Sequence, residues 1–184
     1  MSTKRIILFS VLGILVIILG VMAYTILTTK SHSPAATAKF KSGDISIEVE
    51  YCRPFKKGRK IFGSEAECAL QPYGKYWRVG ANEATKITVN KDITIGGNLL
   101  PAGEYAIYAF PGENEWEIGI HPDWDRWGAF EPDYAEELFR FKVPATNDMI
   151  ETEQFTITFE DIDGASTQMV LRWGKTMVSI PIEG

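Results

Sequence analysis

Hydrophobic and polar residues alternate along much of the chain after residue 44. In the segment 45–51 every second residue is apolar, and serine or glutamate lies in between. Because successive side chains of a strand point to opposite faces of a sheet, this period of two predicts strands with one buried and one solvated face. Four later segments show the same alternation, at residues 86–90, 115–120, 139–143 and 154–160.

Turn-forming residues separate these segments at close intervals. Gly96-Gly97 and Asp163-Gly164 are typical of tight hairpins. Three further turns are expected, at residues 101–103, 111–114 and 173–174.

The remaining patterns place a central strand and a short helix. The segment 105–110 is apolar on both faces, which predicts a central strand, and 133–138 is expected to form one or two helical turns. About nine or ten short strands at close spacing favour an all-β antiparallel sandwich or barrel. We predict the β-sandwich, of jelly-roll or immunoglobulin-like type, with one short helix.

The N-terminal segment has a different pattern. Residues 6–27 form a run of 22 positions without a charge, which as a helix spans roughly 33 Å. This length predicts a single transmembrane helix, whereas a cleaved signal peptide, the alternative, has an apolar core of about 7–15 residues. Lys4 and Arg5 abut the run, so residues 1–5 are expected to stay in the cytoplasm.

This orientation sets the predicted domain order. Residues 28–40 are rich in Thr, Ser, Ala and Pro and are interpreted as a flexible tether. Residues 41–184 are then the folded domain, located outside the cytoplasm, in the periplasm or at the cell surface.

Charge excludes one class of partner. The whole chain has a formal net charge of −5, and residues 31–184 contain 16 Lys and Arg against 24 Asp and Glu, a net of −8. Binding to nucleic acid requires a positive face that can neutralise phosphates. We therefore expect no nucleic-acid partner.

Several irregular motifs occur in a distinctive order. They are YCRPFKKGRKIFG, QPYGKYWRVGANEATKI, LPAGEYAIYAFPGENEWEI and LRWGKTMVSIPI. Over about residues 43–182 the chain resembles the bacterial family catalogued as domain of unknown function 2911. The resemblance implies an extracytoplasmic β-rich domain and assigns no catalytic residues.

Both cysteines lie where the chain departs from the family pattern. Cys52 stands where Ser or Thr is expected, and Cys68 ends a short insertion at 64–68. We therefore predict a Cys52–Cys68 disulfide in an oxidising compartment, closing a loop of about 15 residues and stabilising the fold by about 3 kcal/mol. Two buried thiols are the alternative.

The polar segment 53–85 contains the first candidate binding site. Its members are Arg53, Arg59, Arg78, Asn82 and Glu83. Neighbouring guanidinium groups bind carboxylate, phosphate or sulfate through paired hydrogen bonds. In the structural alternative, Arg78 pairs with Glu83 and the arginines hold the loops together.

The segment 121–133 contains the second candidate site. Trp124 and Trp127 are suited to stacking on sugar rings, and the neighbouring Asp123, Asp125 and Arg126 to binding hydroxyls. The alternative is a cap whose tryptophans plug one end of the domain.

Signals for catalysis are weak. His121 is the only histidine in the domain, no nucleophile motif accompanies it, and neither a metal site nor a cofactor is predicted. We predict a binding module for a small anionic or carbohydrate ligand. A structural module that docks a cell-envelope protein is the alternative, followed by a carboxylate-based hydrolase that uses Glu83.

Overall fold

The computed structural model describes residues 3–147, 149–162 and 166–184. The chain divides into two compact units, residues 1–32 and 33–184. The predicted turn at Asp163-Gly164 lies outside the described residues. The first unit is one α-helix, α1, which runs from Thr3 to His32.

The helix α1 includes the uncharged run at 6–27. Among the residues that the structure describes, no helix has the length and hydropathy needed to cross a membrane. The side chains at 6–8, 10, 11 and 25–27 lie outside that description. The transmembrane span and the membrane location therefore stay predictions.

The described part of the second unit contains thirteen strands and two short 3₁₀ turns. The turns are Glu65–Glu67 and Tyr134–Glu136. The strands are β1 Ala35–Ser42, β2 Ile45–Cys52, β3 Phe62–Gly63, β4 Gln71–Pro72, β5 Thr85–Val89, β6 Ile93–Ile95, β7 Asn98–Leu100, β8 Gly103–Phe110, β9 Glu115–His121, β10 Phe139–Thr146, β11 Thr152–Asp161, β12 Ser166–Gly174 and β13 Thr176–Glu183.

Eleven of these strands form one antiparallel sheet. Its order is β1-β2-β5-β8-β9-β10-β13-β12-β11, and the hairpin β6–β7 joins it through β13. The other two strands, β3 and β4, pair in parallel as a small separate sheet. The predicted all-β antiparallel class is confirmed.

The predicted sandwich is wrong, because the sheet is continuous and nearly closed into a barrel-like shape. The strand β10 makes it continuous: residues 139–144 pair with β9, and the last two residues, Ala145 and Thr146, pair with β13. A sandwich would leave the two halves as separate stacked sheets. Here one strand belongs to both halves.

The strands predicted from the alternating pattern are confirmed as β2, β5, β9, β10 and β11, and the predicted central strand as β8. The turn at Gly96-Gly97 connects β6 and β7, with φ of +56° and +78°. These left-handed values are typical of the type I′ hairpin that two glycines favour. The helix predicted at 133–138 is the single 3₁₀ turn Tyr134–Glu136.

The predicted flexible tether at 28–40 is wrong. Its first residues belong to α1, and residues 35–42 form β1, which pairs with β2 along its whole length. Pairing satisfies the backbone groups of this polar segment, and Ala38 and Phe40 pack against the core. The folded unit therefore begins at Ser33, eight residues before the predicted boundary at 41.

The core lies inside the curled sheet and is rich in aromatic side chains. Ile47, Val49 and Tyr51 of β2 all point into it, as their period of two predicts. At its centre five aromatic rings contact one another with centroids 4.8–6.1 Å apart, in a mixture of edge-to-face, tilted and stacked pairs: Phe62, Trp77, Trp116, Phe155 and Trp173.

The two end strands of the sheet, β1 and β11, lie against each other, with the Phe40 and Phe159 ring centroids 5.8 Å apart. A seam of hydrogen bonds also ties β11 to the end of β2. The buried Tyr51 hydroxyl accepts a hydrogen bond from the Ile157 N–H at 2.9 Å and lies 3.3 Å from the Ile157 carbonyl oxygen. Arg53 donates to the Phe155 carbonyl at 3.0 Å and to the Thr156 hydroxyl at 2.8 Å. The Tyr51 and Arg53 side chains thus satisfy backbone groups of β11 that a neighbouring strand would otherwise pair with.

The seam continues through backbone contacts in the segment after β2. The Phe155 N–H donates to the Pro54 carbonyl at 2.9 Å, and the Lys56 N–H donates to the Glu153 carbonyl at 2.7 Å. The segment leaving β2 is therefore fixed against the start of β11.

The insertion at 64–68 is held by one carboxylate. Glu67 accepts hydrogen bonds from the Ser64 N–H at 2.9 Å and the Ser64 hydroxyl at 3.0 Å, and it forms an ion pair with Lys60. The hydrogen bond from Lys60, followed by those from Ser64, lowers the pKa of Glu67 from 4.5 to about 2.

We predict that Tyr51→Phe destabilises the full chain by about 1–3 kcal/mol, because the buried Ile157 N–H loses its acceptor. Tyr105→Phe is the matched control, since its hydroxyl bonds the Pro101 carbonyl in an exposed position. Urea unfolding followed by tryptophan fluorescence measures both. Equal midpoints for Tyr51→Phe and the wild type would contradict the role of the seam.

We also predict that the Glu67 carboxyl titrates near pH 2. Because its folded pKa is depressed, its stabilising interactions are complete above about pH 4.5 and are lost as the pH falls towards 2. Lys60→Gln should raise this pKa towards 4.5, whereas Lys39→Gln, which removes a lysine paired with Glu48, should not. An NMR titration that follows the carboxyl chemical shift of Glu67 measures this pKa in the wild type and in both variants.

Candidate functional site

Two loops meet on the outer face of the sheet, and we call this region the loop junction, residues 76–84 and 122–134. The Ala84 N–H donates to the Arg126 carbonyl at 3.1 Å, and the Gly128 N–H donates to the Asn82 carbonyl at 3.0 Å. Glu83 and Trp127 form an isolated antiparallel bridge between these bonds. The junction is therefore a short piece of regular pairing between two irregular loops.

The first loop turns sharply at Val79–Asn82. Val79, Gly80 and Asn82 have positive φ angles of 54°, 148° and 62°. A Cβ on Gly80 would lie 2.8 Å from the Cys52 carbonyl oxygen, so this close approach to the end of β2 requires glycine. The Thr85 hydroxyl secures the turn by donating to the Val79 carbonyl at 2.6 Å.

The second loop rests on an aromatic cluster on the outer face of β8. Tyr108 is fully buried on the side of the sheet opposite the core, and its ring lies 5.6 Å from Tyr76 and 5.8 Å from Tyr134. The Arg140 guanidinium lies 4.6 Å from the Phe110 ring and 5.3 Å from the Tyr134 ring. These contacts fix the position of the loop.

His121, at the end of β9, has a structural role. It is 1% exposed, its Nδ1 accepts the Asp123 N–H at 3.0 Å, and its Nε2 lies 2.9 Å from the Asp133 carbonyl oxygen. Both ring nitrogens are thus used to hold the start of the second loop.

Two arginines meet at the centre of the junction. Both Arg78 and Arg126 are half-buried. Arg126 lies 5.8 Å from the centroid of the Tyr76 ring and donates to the Tyr76 hydroxyl at 3.1 Å. Arg78 donates to the Asn82 carbonyl at 3.2 Å. Burial lowers the pKa of Arg78, and the neighbouring charge of Arg126 acts in the same direction.

Neither arginine has a carboxylate within ion-pair distance among the residues that the structure describes. In addition, the Arg126 Nε is buried and lacks a described hydrogen-bond acceptor. Two like charges therefore lie near each other in a partly desolvated position, which is unfavourable unless an anion joins them. The predicted Arg78–Glu83 pair is replaced by the bond from Arg78 to the Asn82 backbone.

Exposed aromatic side chains flank the two arginines. Trp127 is 46% exposed and Phe130 is 73% exposed. Arg126 donates to the Phe130 carbonyl, which holds this part of the loop. The prediction of a plug of buried tryptophans is wrong for Trp127. Trp124 is half-buried, with Lys86 Nζ 4.7 Å from its ring centroid.

The other predicted site residues divide between the junction and other places. Asn82 is buried and donates to the Ser33 carbonyl at 3.4 Å, and Glu83 is exposed at the junction. Arg53 belongs to the seam. Arg59 is exposed and donates to the carbonyls of Lys56 and Phe55, so it lies in the loop after β2. The structure thus groups Arg78, Asn82, Glu83 and Trp127.

The predicted Cys52–Cys68 disulfide is contradicted. Cys52 is a buried thiol at the end of β2 and lies 3.6 Å from the Glu83 carboxylate. Cys68 is an exposed thiol at the end of the 3₁₀ turn in the 64–68 insertion, with a φ of +53°. A bridge needs Cβ atoms about 3.8 Å apart, and the two thiols lie in different surroundings.

Sequence reasoning missed Tyr76 and Phe130 and left Arg126 as a minor member of the tryptophan loop. A signal for Tyr76 was present, because it precedes Arg78 by two residues and so lies on the same side of an extended chain. Nothing local links Arg78 to Arg126, 48 positions later.

No metal cluster is found in the described part of the chain: no group of three or more His, Cys, Asp or Glu side chains is placed to hold an ion. The chemistry that the junction offers is anion binding by guanidinium groups beside exposed aromatic rings.

Comparisons with known proteins agree with the sequence resemblance. A family model described as protein of unknown function (DUF2911) matches residues 33–182. Neither the curated proteins nor the solved structures contain a significant match. The match covers nearly all of the folded unit that begins at Ser33. The chain therefore belongs to the DUF2911 family.

Proposed function

We propose that the domain binds a small acidic carbohydrate at the loop junction. One observation carries the proposal: Arg78 and Arg126 lie together, half-buried, and no described carboxylate pairs with either of them. An acid group placed between the two guanidinium groups relieves their repulsion and satisfies their remaining donors.

The exposed aromatic rings favour a ligand with a sugar ring rather than a bare anion. A pyranose ring has an apolar face that packs on an indole or phenyl ring. Trp127 and Phe130 offer such surfaces beside the arginines. Because backbone bonds at Ala84, Arg126 and Gly128 already fix the loops, little ordering entropy is lost when a ligand binds.

The proposal predicts separate contributions from charge and stacking. We expect glucuronate to bind the full chain and glucose to bind at least about tenfold more weakly, a difference of about 1.4 kcal/mol. Arg126→Gln should weaken glucuronate by about tenfold or more, and Arg78→Gln likewise. Trp127→Ala should weaken glucuronate but leave the binding of inorganic phosphate unchanged. Isothermal titration calorimetry measures each affinity.

Arg172→Gln is the matched control, because it removes a half-buried arginine that pairs with Glu160 on the far part of the sheet. Thermal unfolding of every variant separates loss of binding from loss of fold. Equal glucuronate affinity in wild type and Arg126→Gln would overturn the proposal, as would equal affinity for glucose and glucuronate.

A protein partner of the cell envelope is the second candidate. The exposures of Trp127 and Phe130 favour it, since exposed aromatic residues near arginine are typical of protein-binding surfaces. In this case Phe130→Ala abolishes a crosslink to the partner in intact membranes, and no sugar binds. A carboxylate-based hydrolase gains no support, because Glu83 is exposed, bridges Trp127 through its backbone and lies 3.6 Å from the Cys52 thiol.

We also propose that α1 attaches the domain to a membrane, with residues 33–184 outside the cytoplasm. The uncharged run at 6–27 supports this, and so do apolar side chains of α1 that are exposed at many positions between Phe9 and Tyr24. An exposed apolar surface of this extent is typical of a segment that contacts lipid or another protein.

The location predicts a fractionation result. The full chain should stay in the membrane fraction after carbonate washing, and external protease should digest the domain in cells whose outer barrier is opened. Changing Ile14 and Ile18 to lysine should release the chain. A wild-type chain that is extracted by carbonate, or protected until the inner membrane is lysed, would contradict the proposed location.

A further inference from the structure

A cavity of about 550 Å³ opens beside the loop that follows β2. It shares no lining residue with the loop junction. One side is formed by Lys56, Arg59 and Lys60, and another by the turn between β12 and β13, which contributes Trp173 and Lys175. Because the seam fixes this loop against β11, the cavity has a defined wall.

The cavity is positive although the domain is acidic. Four cationic side chains line it, Lys56, Arg59, Lys60 and Lys175, against the two carboxylates Glu113 and Glu151. Lys56 pairs with Glu151 at 2.9 Å, and Lys60 pairs with Glu67.

Arg59 has no carboxylate partner among the described contacts, whereas Lys175 acts on the Glu151 carboxylate that also pairs with Lys56. Glu113 is the remaining acid of the lining. Arg59 is held in place, since its Nε and Nη2 donate to the carbonyls of Lys56 and Phe55. Among the described residues, the four cationic side chains against Glu113, Glu151 and Glu67 leave a surplus of one positive charge, which matches a monoanion rather than a dianion.

The inner wall of the cavity is apolar. Ile61, Phe62 and Trp173 line it, and each of them is less than 9% exposed. The indole Nε1 of Trp173 is buried and lacks a hydrogen-bond acceptor within the described part of the chain. The wall therefore offers a compact apolar surface and one hydrogen-bond donor, the Trp173 Nε1, next to the charged side chains that line the cavity.

We propose that this cavity is a second binding site, for a small organic carboxylate with a compact apolar body. The carboxylate lies between Arg59 and Lys175, and the apolar part packs against Ile61 and Phe62. Charge-assisted hydrogen bonds supply orientation, and burial of the apolar part supplies additional affinity. The site does not depend on the sugar site at the junction, because the two share no residue.

Calorimetric titration of the full chain with three probes tests the proposal. Benzoate has both a carboxylate and an apolar ring, and acetate has the carboxylate without the ring. Benzylamine has the ring with a positive charge in place of the carboxylate. We expect benzoate to bind at least about tenfold more tightly than acetate and benzylamine to give no binding. The double variant Arg59→Gln, Lys175→Gln should weaken benzoate by about tenfold or more.

Arg126→Gln is the control that separates this site from the junction, whose arginines also offer a place for a carboxylate, and benzoate binding at the cavity should persist in this variant. If the double variant unfolds, Lys175→Gln alone serves, since its exposed side chain contributes little to packing. Failure of benzoate to bind, equal binding of benzylamine, or benzoate affinity retained in the variants would overturn the proposal. Loss of benzoate binding in Arg126→Gln would assign the binding to the junction instead.

Discussion

The seam that ties β11, an end strand of the sheet, to the end of β2 is the constraint on which both candidate sites depend. An edge strand has unpaired backbone groups, and here side chains satisfy them: Tyr51 bonds the Ile157 backbone and Arg53 bonds the Phe155 carbonyl. Because β2 ends at this seam, the chain leaves it in a fixed direction towards the cavity loop. Gly80 packs against the same strand end, so the first loop of the junction starts from it as well. The seam therefore positions two regions that are separate in sequence.

The sequence predicts the parts of the fold that are set by local pattern. Alternating segments such as 45–51 and 154–160 became β2 and β11 because one face of each meets the aromatic core. The seam was not predictable in this way, since the bonds from Tyr51 and Arg53 reach residues more than 100 positions away. The strand β1 was missed for a different reason: its Ala, Thr and Ser residues have a linker-like composition, and pairing with β2 decides their conformation.

In the candidate sites too, neighbouring residues in the sequence indicate less than the contacts that the fold makes between distant segments. Arg53, Arg59 and Arg78 are the same residue type in one polar segment, yet Arg53 belongs to the seam, Arg59 lines the cavity and Arg78 lies at the junction. Their roles follow from the groups that the fold brings to them, which the spacing of arginines does not encode. The glycine at position 80 was a better local guide, because glycine permits the positive φ angles that turn the chain here into a loop.

The acidity of the domain limits how either site can work. With a net charge of −8 over residues 31–184, the long-range field repels an approaching anion, although salt screens it beyond about 8 Å under physiological conditions. Attraction must then come from groups in direct contact with the ligand, and at the junction these are two half-buried guanidinium groups held by the Asn82 backbone and the Tyr76 hydroxyl. Guanidinium groups held in this way attract an anion only at short range, and their hydrogen bonds fix the direction in which their remaining N–H groups point. Selection at the two proposed sites would therefore depend on the shape that the loops hold, so that the seam that fixes the loops would serve recognition as well as stability.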